Sequence, residues 1–266
     1  MLVMRNHRNF SAFQAFNMRR RDILRVTGGV TIASLLGCRD QSSNRDQSSN
    51  SVEPPDELAQ SSPDFPGCIV RPQQTEGPYF VDDRLNRSDI RSDPSSGIEK
   101  EGVLLRLTFK INQVSPDACL PIKGAIVDIW HCDAKGVYSD ASDPNFSTLG
   151  QKFLRGYQIA DANGSVEFTT IYPGWYPGRT THIHFKIRGG ENSQQSYEFT
   201  SQLYFEDTLT DQVFTHLPYH TREQRTTRND QDGIFRGGGD QLILKLTQDQ
   251  TSGSYTGIFN IGLDMT

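Results

Sequence analysis

The amino-acid sequence predicts an all-β protein folded as an antiparallel β-sandwich. Three observations indicate this fold class. Short runs with apolar residues at alternate positions recur from residue 102 onward, a strong hairpin sequence joins two of them, and no long helical period lies between them. About eight strands at this spacing are typical of a sandwich, and 266 residues suffice for one well-buried domain plus appendages.

The predicted strands follow one another along the chain after residue 102. The runs VLLRLTFKI and AIVDIW open the series, with apolar residues at alternate positions. The sequence DANG at residues 161–164 separates two further strands, and its Asn-Gly pair is a strong hairpin signal. The predicted strands span residues 103–111, 125–130, 157–160, 166–170, 182–187, 198–205, 241–247 and 255–263.

Residues 1–38 predict an export signal. The first 37 residues carry six arginines and one aspartate. Three arginines at positions 19–21 precede an apolar run of 12 residues, which is too short to span a bilayer as an ordinary helix. This arrangement resembles a twin-arginine signal, for which Met18 is an alternative start to Met1. We therefore expect an exported protein whose signal and tether are disordered.

The end of the apolar run suggests a lipid anchor. The tripeptide LLG at residues 35–37, followed by Cys38, resembles a lipoprotein cleavage box. We expect a lipidated Cys38 and a periplasmic or membrane-anchored location; a cleaved signal with an incidental cysteine is the alternative. Residues 39–64 hold DQSSN twice and are rich in Ser, Asn and Pro, which predicts a flexible linker to a domain of residues 65–266.

The net charge of the chain limits the kinds of partner that it is expected to bind. The whole chain has a formal net charge of −5, and the +5 of its first 37 residues leaves about −10 for the remainder. An acidic domain of this kind argues against nucleic acid or anionic lipid as a partner.

The cysteines that follow the signal are Cys68, Cys119 and Cys132. In an oxidising compartment, two of the three are expected to pair and to leave one over. We favour a disulfide between Cys68 and Cys119 because both lie in segments that flank predicted core strands. Three buried thiols are the alternative.

Two tyrosines and two histidines form the most informative pattern in the chain. Tyr138 lies in WHCDAKGVYSD, and Tyr176, His182 and His184 lie in TIYPGWYPGRTTHIHFKI. The two histidines are two residues apart in an alternating run, so both imidazoles project from one strand face. Tyrosine has a reference pKa of about 10, so near neutral pH its phenolate forms only against a strong Lewis acid. Ferric iron meets that demand better than zinc or magnesium, which predicts a non-haem Fe(III) enzyme.

These blocks resemble the intradiol ring-cleavage dioxygenases, in particular the protocatechuate 3,4-dioxygenase-like members. The resemblance runs, in the order found in the family, through TEGPYF at residues 75–80, GAIVDIWHCDAKGVYSD at 124–140, the segment 153–187 and SQLYFED at 201–207. It covers roughly residues 65–266. It implies a β-sandwich of the intradiol type that uses O2 to cleave a catechol-type ring between its two hydroxyl-bearing carbons. The implied product is a cis,cis-muconate-type acid.

The resemblance also implies the roles of individual residues. Four residues match the iron ligands of the family, and the second tyrosine matches the axial ligand that leaves the metal when substrate binds. The four are Tyr138, Tyr176, His182 and His184. Arg179 matches an arginine that stabilises negative charge on the bound ring, and Gln202 matches a glutamine that hydrogen-bonds near the metal.

The expected substrate contacts come from two segments. Gly77 and Tyr79 match a segment that lines the substrate mouth, where glycine allows close backbone approach and tyrosine offers a ring face. Trp175 and Trp130 are expected to pack, and Trp175 also to touch substrate. His131, His216 and His220 match no ligand position and are expected at the surface or behind the ligands. The link between Tyr176 and Arg179 is shorter than in longer family members.

Two other classes of function compete with this interpretation. A non-catalytic exported β-sandwich binding module gives no reason for two tyrosines to accompany the HIH sequence. A cupin-like metalloenzyme also uses an HxH strand, but it requires a glutamate shortly after the second histidine, where this chain has FKIR. Because all the expected ligands lie in one chain, we expect a monomer or a homo-oligomer, with a small catecholic substrate and O2 as partners.

Overall fold

The computed structural model describes residues 68–144, 146–190, 196–221 and 223–265. The chain divides into two units, Met1–Glu57 and Leu58–Thr266, and every described residue belongs to the second. The expected export signal at 1–38 and the linker at 39–64 lie outside the described residues. Within the described ranges, no helix is both long and apolar enough to cross a membrane.

The described part of the chain folds into eleven strands and one short α-helix. Three 3-10 turns, Tyr219–Thr221, Asn229–Gln231 and Gly239–Leu242, lie between the helix and the last two strands. The elements are β1 Leu104–Ser115, β2 Ala118–Pro121, β3 Ile126–Trp130, β4 Ser142–Asp143, β5 Phe146–Ser147, β6 Arg155–Ile159, β7 Ser165–Ile171, β8 His182–Arg188, β9 Glu198–Tyr204, α1 Asp207–Val213, β10 Leu246–Gln248 and β11 Tyr255–Asp264.

The fold contains two main β-sheets. The five-stranded sheet has the order β10-β11-β1-β2, and β7 also pairs with β1. The four-stranded sheet has the order β6-β3-β8-β9, and β4 and β5 form a separate two-stranded sheet. The inner faces of the main sheets meet in one core, where the ring centroid of Phe185 lies 5.3 Å from that of Phe109 and 5.6 Å from that of Phe259. The predicted all-β sandwich is therefore confirmed.

One strand pair departs from the expected antiparallel arrangement. β11 pairs in parallel with β1, and Phe109 lies opposite Phe259. Parallel neighbours need a long connection, and here most of the described chain separates the two strands. Alternation within each strand does not reveal the direction of its neighbour, so the sequence could not show this exception.

The predicted strand at 241–247 is largely wrong. A 3-10 turn occupies Gly239–Leu242, and Ile243 makes a single bridge to Tyr204 of β9. β10 begins only at Leu246. Leu242 and Leu244 are both buried, so the alternation reflects a segment that crosses from one sheet to the other. The short strands β2, β4 and β5 and the helix α1 were not predicted.

The cysteine pairing is as favoured from the sequence. Cys68 and Cys119 form a disulfide with their Cα atoms 5.8 Å apart, which joins the start of the described chain to β2. Val70 bridges to Gly262 of β11, so the segment after the disulfide runs along the five-stranded sheet. Cys132 is buried outside the disulfide.

Candidate functional site

The strand β8 separates the core of the sandwich from the candidate site. Ile183 and Phe185 point into the core, whereas His182 and His184 alternate with them and lie on the outer face of the four-stranded sheet. Both histidines are buried all the same, at 2% and 1% exposure, because loops cover this face. The prediction that the two imidazoles share a strand face is therefore confirmed.

Three side chains converge at one imidazole nitrogen of a fourth residue, in β8. The Oη atoms of Tyr138 and Tyr176 lie 3.4 Å and 3.2 Å from Nε2 of His182. Nε2 of His184 lies 3.1 Å from the same atom. The fold thus brings together the four residues expected to bind iron, from two loops and one strand.

Hydrogen bonding fixes the form of the central imidazole. Nδ1 of His182 lies 2.6 Å from the carbonyl oxygen of Thr180 and donates its proton there, so the lone pair of Nε2 faces the cluster. Burial, followed by the charge of Arg179, lowers the pKa of His182 to about 3. Burial also places the pKa of His184 well below its usual range. Both imidazoles are therefore neutral, as a metal ligand must be.

The two tyrosines are neutral in the absence of a Lewis acid. Burial raises the pKa of Tyr138 well above its usual range. Burial raises the pKa of Tyr176 to about 12, although the charge of Arg179 opposes the increase. Among the described residues, no group of three or more His, Cys, Asp or Glu side chains could hold a metal. A metal at this cluster would therefore depend on the tyrosine oxygens, and two phenolates with two imidazoles suit Fe(III).

Aromatic rings and one glycine enclose the cluster. The indole of Trp130 stacks on His184 with ring centroids 5.0 Å apart, as expected for a packing residue. Gly77 has a φ of +75°, and a Cβ there would lie 3.1 Å from Cε1 of His184. The ring of Tyr79 stacks on Tyr138 at 4.4 Å. The segment that contains Gly77 and Tyr79 thus closes over the cluster, where substrate contacts were expected.

Arg179 and Gln202 lie beside the cluster. Nη2 of Arg179 donates to Oε1 of Gln202, which is fully buried opposite His184 in the β8–β9 pair. Nε2 of Gln202 donates to the carbonyl of Thr75 at 2.9 Å, so the glutamine also holds the covering segment. Burial alone would lower the pKa of Arg179, but Tyr176 and Asp232 raise it.

Asp232 was missed by sequence reasoning. Its Oδ2 accepts the Nε–H of Arg179 at 2.8 Å and the amide of Thr180 at 2.9 Å. Burial would raise the pKa of this carboxyl, but the Thr180 amide and Arg179 lower it. The Asp-Gly pair at 232–233 indicates a turn in the sequence, but not a contact with a residue 53 positions away.

Trp175 and the three other histidines have different surroundings. Trp175 is 6% exposed and lines a cavity of about 480 Å³ with Phe214, Tyr219 and polar residues from the loops after α1. His216 and His220 are exposed, as expected. His131 is not at the surface: it is 1% exposed and lies 2.7 Å from Oγ1 of Thr170, because it directly follows β3 in the interior.

Comparisons with known proteins agree with this geometry. A family model described as Dioxygenase matches residues 75–234, which include all four converging residues. The protocatechuate 3,4-dioxygenase beta chain of Burkholderia cepacia is 31% identical over 128 residues, which cover 44% of this chain and 53% of that protein. The chain spans about half the length of the curated relatives it matches.

Solved structures extend the comparison. An intradiol ring-cleavage dioxygenase from Tetranychus urticae is 33% identical with a TM-score of 0.62, covering 74% of this chain and 95% of that one. The dioxygenase domain of a carbohydrate-binding fusion protein from Streptomyces sp. SirexAA-E is 27% identical with a TM-score of 0.52, covering 74% and 100%. The matched segment, the sandwich and the tyrosine–histidine cluster together identify this chain as a member of the intradiol ring-cleavage dioxygenase family.

Proposed function

We propose that this protein is a non-haem Fe(III)-dependent dioxygenase that cleaves a catechol-type ring between its hydroxyl-bearing carbons. O2 is the second substrate, and the product is a cis,cis-muconate-type acid. One observation carries the proposal: two phenols, one buried and one partly buried, and a second imidazole meet at Nε2 of His182 within 3.1–3.4 Å. Nothing in a purely structural sandwich requires this convergence.

The four converging side chains are the proposed ligands. They are Tyr138, Tyr176, His182 and His184. When bound, Fe(III) supplies a Lewis acid and a template that lowers the pKa of the tyrosines and of a catechol. The protein supplies neutral imidazoles, a fixed tautomer through the Thr180 carbonyl, and walls that exclude water.

Tyr176 is the proposed proton acceptor for the substrate. Tyr176 is only partly buried, whereas Tyr138 is 1% exposed, so Tyr176 is the tyrosine with room to move. Burial favours the protonated phenol, and its pKa of about 12 exceeds the ordinary value for tyrosine. Held as a phenolate by Fe(III), Tyr176 would therefore be a strong base at Oη and could accept a proton from a catechol hydroxyl that enters the site.

Arg179 and the covering segment complete the proposed site. The Arg179 guanidinium is charged at any working pH and can stabilise negative charge that develops on the ring. Gly77 gives room beside His184, and Tyr79 and Trp175 offer ring faces to an aromatic substrate. These four residues are the proposed substrate contacts.

A visible spectrum of the purified protein, before and after anaerobic addition of catechol, tests the proposal. We expect a red-brown protein whose charge-transfer band moves to longer wavelength on addition, followed by O2 uptake across a panel of catechols that includes protocatechuate. A protein that stays colourless after Fe(III) loading would overturn the proposal. It would favour the alternative, a non-catalytic exported binding module.

We also propose that the protein is exported by the twin-arginine route and attached to the membrane through a lipidated Cys38. The support is the arginine triplet at 19–21 and the LLGC sequence at 35–38. Cell fractionation of the full chain should find it in the membrane fraction, and Cys38→Ser should release it. An unchanged distribution of Cys38→Ser would show a cleaved signal with an incidental cysteine. Size-exclusion chromatography of the released form tests whether it is a monomer or a homo-oligomer.

A further inference from the structure

We propose that Asp232 is a positioning residue that holds the guanidinium of Arg179 at the tyrosine–histidine cluster. The inference rests on the proposed function, because it assigns a role to a residue beside that same site. It is carried by a buried ion pair between two segments that are 53 residues apart.

The Asp232 carboxylate accepts four hydrogen bonds, which join its own loop to the segment that carries Arg179. Oδ2 accepts the Nε–H of Arg179 at 2.8 Å and the amide of Thr180 at 2.9 Å. Oδ1 accepts the amides of Ile234 at 2.7 Å and Phe235 at 3.2 Å. Asp232 is 1% exposed, so a buried charge is fully compensated on both of its oxygens. One oxygen is tied to its own loop and the other to the segment that carries Arg179.

Arg179 needs such a partner because its backbone lies outside any strand. It follows Gly178, which has a φ of +87°, and its amide reaches back to the carbonyl of Tyr176 at 3.3 Å. A long side chain on a turn has many accessible rotamers. Asp232 holds Nε and Gln202 holds Nη2, so contacts at two different nitrogens fix the orientation of the guanidinium.

The loop of Asp232 is itself fixed to the site. Nδ2 of Asn229 donates to the carbonyl of Phe205 at 2.8 Å, and its Oδ1 accepts the hydroxyl of Thr180 at 2.7 Å. The Asn229 side chain is thus bound both to the chain just after β9 and to the segment just before β8. These two hydrogen bonds therefore hold the loop that carries Asp232 in place.

Replacing Asp232 with asparagine should release the guanidinium. The amide group can still accept the two loop N–H groups through its oxygen, but its NH2 would face the N–H donors of Arg179 and Thr180. Two donors repel, so Arg179 should turn away from the cluster. Asp230→Asn is the matched control, since Asp230 is exposed in the same loop and undergoes the same change of charge.

The experiment compares these variants as iron-loaded full-length protein. In Asp232→Asn, a positive charge moves away from Tyr176, so the tyrosinate-to-iron absorption band should shift to longer wavelength before any substrate is added. We expect kcat/KM for catechol to fall about 10- to 100-fold, the usual cost of losing a residue that orients a group in a metal site. Asp230→Asn should keep the band position and kcat/KM of the parent.

A double-mutant cycle separates positioning from a general structural effect. If Asp232 acts through Arg179, then adding Asp232→Asn to Arg179→Ala should cause no further loss of kcat/KM. Equal spectra and equal kcat/KM for Asp232→Asn and Asp230→Asn, or fully additive losses in the cycle, would overturn the inference. A parent protein that neither binds iron nor consumes O2 would instead refute the proposed function. Should Asp232→Asn not fold, Asp232→Glu against Asp230→Glu replaces it, and equal kcat/KM for that pair would also overturn the inference.

Discussion

Tyr138 and Tyr176 reach the same nitrogen of His182 from two different loops. Such a convergence of phenols and imidazoles costs stability unless a ligand compensates it, because buried polar groups need partners. At the scale of single residues, this convergence supports the metal binding proposed above.

Tyr138→Phe tests the contribution of one phenol oxygen. The ring still stacks on Tyr79, so the fold should be retained while one proposed ligand is lost. Iron affinity should fall by more than the about 10- to 100-fold that the loss of an outer hydrogen-bond partner costs. Tyr157→Phe on β6 is the control, and metal analysis after gel filtration is the measurement. Equal iron content in the two variants would contradict the ligand role.

Gly77→Ala tests the close approach of the covering segment to His184. Gly77 and Gly97 have similar φ values of +75° and +70°, so alanine at either position should cost about 1–2 kcal/mol of unfolding free energy. A Cβ lies 3.1 Å from Cε1 of His184 only at Gly77, whereas nothing lies within 4 Å at Gly97. Only Gly77→Ala should therefore change the visible band. A band that moves equally in both variants would show that the contact with His184 is unimportant.

At the scale of elements, β8 connects the core to the site by its alternation. Ile183, Phe185 and Ile187 hold the strand in the core, and this fixes which face the histidines occupy. A shift of register by one residue would bury both imidazoles in the core. The neighbouring strands β3 and β9 also contribute side chains to the site, because their residues Trp130 and Gln202 lie on either side of His184.

The turn at residues 92–99 gives the fold a pH dependence. Burial alone would raise the pKa of Asp93, but hydrogen bonds from Ser95, from the amide of Lys152 and from the amide of Ser96 lower it to about 2. The unfolded carboxyl has its ordinary value near 4, so the folded state gains about 2 kcal/mol above that pH. This gain should disappear as the pH falls through 2.

Asp93→Asn tests this turn. The variant should unfold more readily than the parent at pH 7, and the difference should shrink progressively below pH 4, where the carboxyl of the unfolded parent becomes protonated. Urea unfolding as a function of pH measures it. Asp117→Asn, at an exposed position in the β1–β2 turn, is the control. A difference that stays constant down to pH 2 would exclude the carboxylate as its cause.

At the scale of the whole molecule, the disulfide ties the covering segment to the sandwich. Cys68 and Cys119 are 51 residues apart in sequence, and the chain after Cys68 runs along β11 before it reaches Gly77. In the chain-entropy account, closing a loop of this length stabilises the folded state by about 4 kcal/mol. The disulfide therefore supports both the domain and the cover of the site.

Cys119→Ser tests the contribution of the disulfide. The variant should lose about 2–4 kcal/mol of unfolding free energy relative to the oxidised parent. Adding a reductant should lower the stability of the parent to a similar value and leave Cys119→Ser unchanged. Denaturant unfolding with and without reductant is the measurement. A parent that is insensitive to reductant, with the bond shown to be reduced, would contradict this account.

The amino-acid sequence was enough to predict the all-β class, most strands and, through the family resemblance, the four converging residues. Alternation of apolar residues defines a strand face, and the spacing of His182 and His184 defines which side chains share it. These signals are local, and they survive in any tertiary context that keeps the strand.

Features that depend on contacts between distant segments became visible only in the folded molecule. The parallel pairing of β1 and β11, the crossing segment before β10 and the contact of Asp232 with Arg179 leave no periodic trace in the chain. The same holds for the approach of Gly77 to His184, more than 100 residues away. The contacts of Asp232 and Gly77 arise because the sandwich brings loops from both ends of the domain over one sheet face, and the packing of the whole core sets all four features.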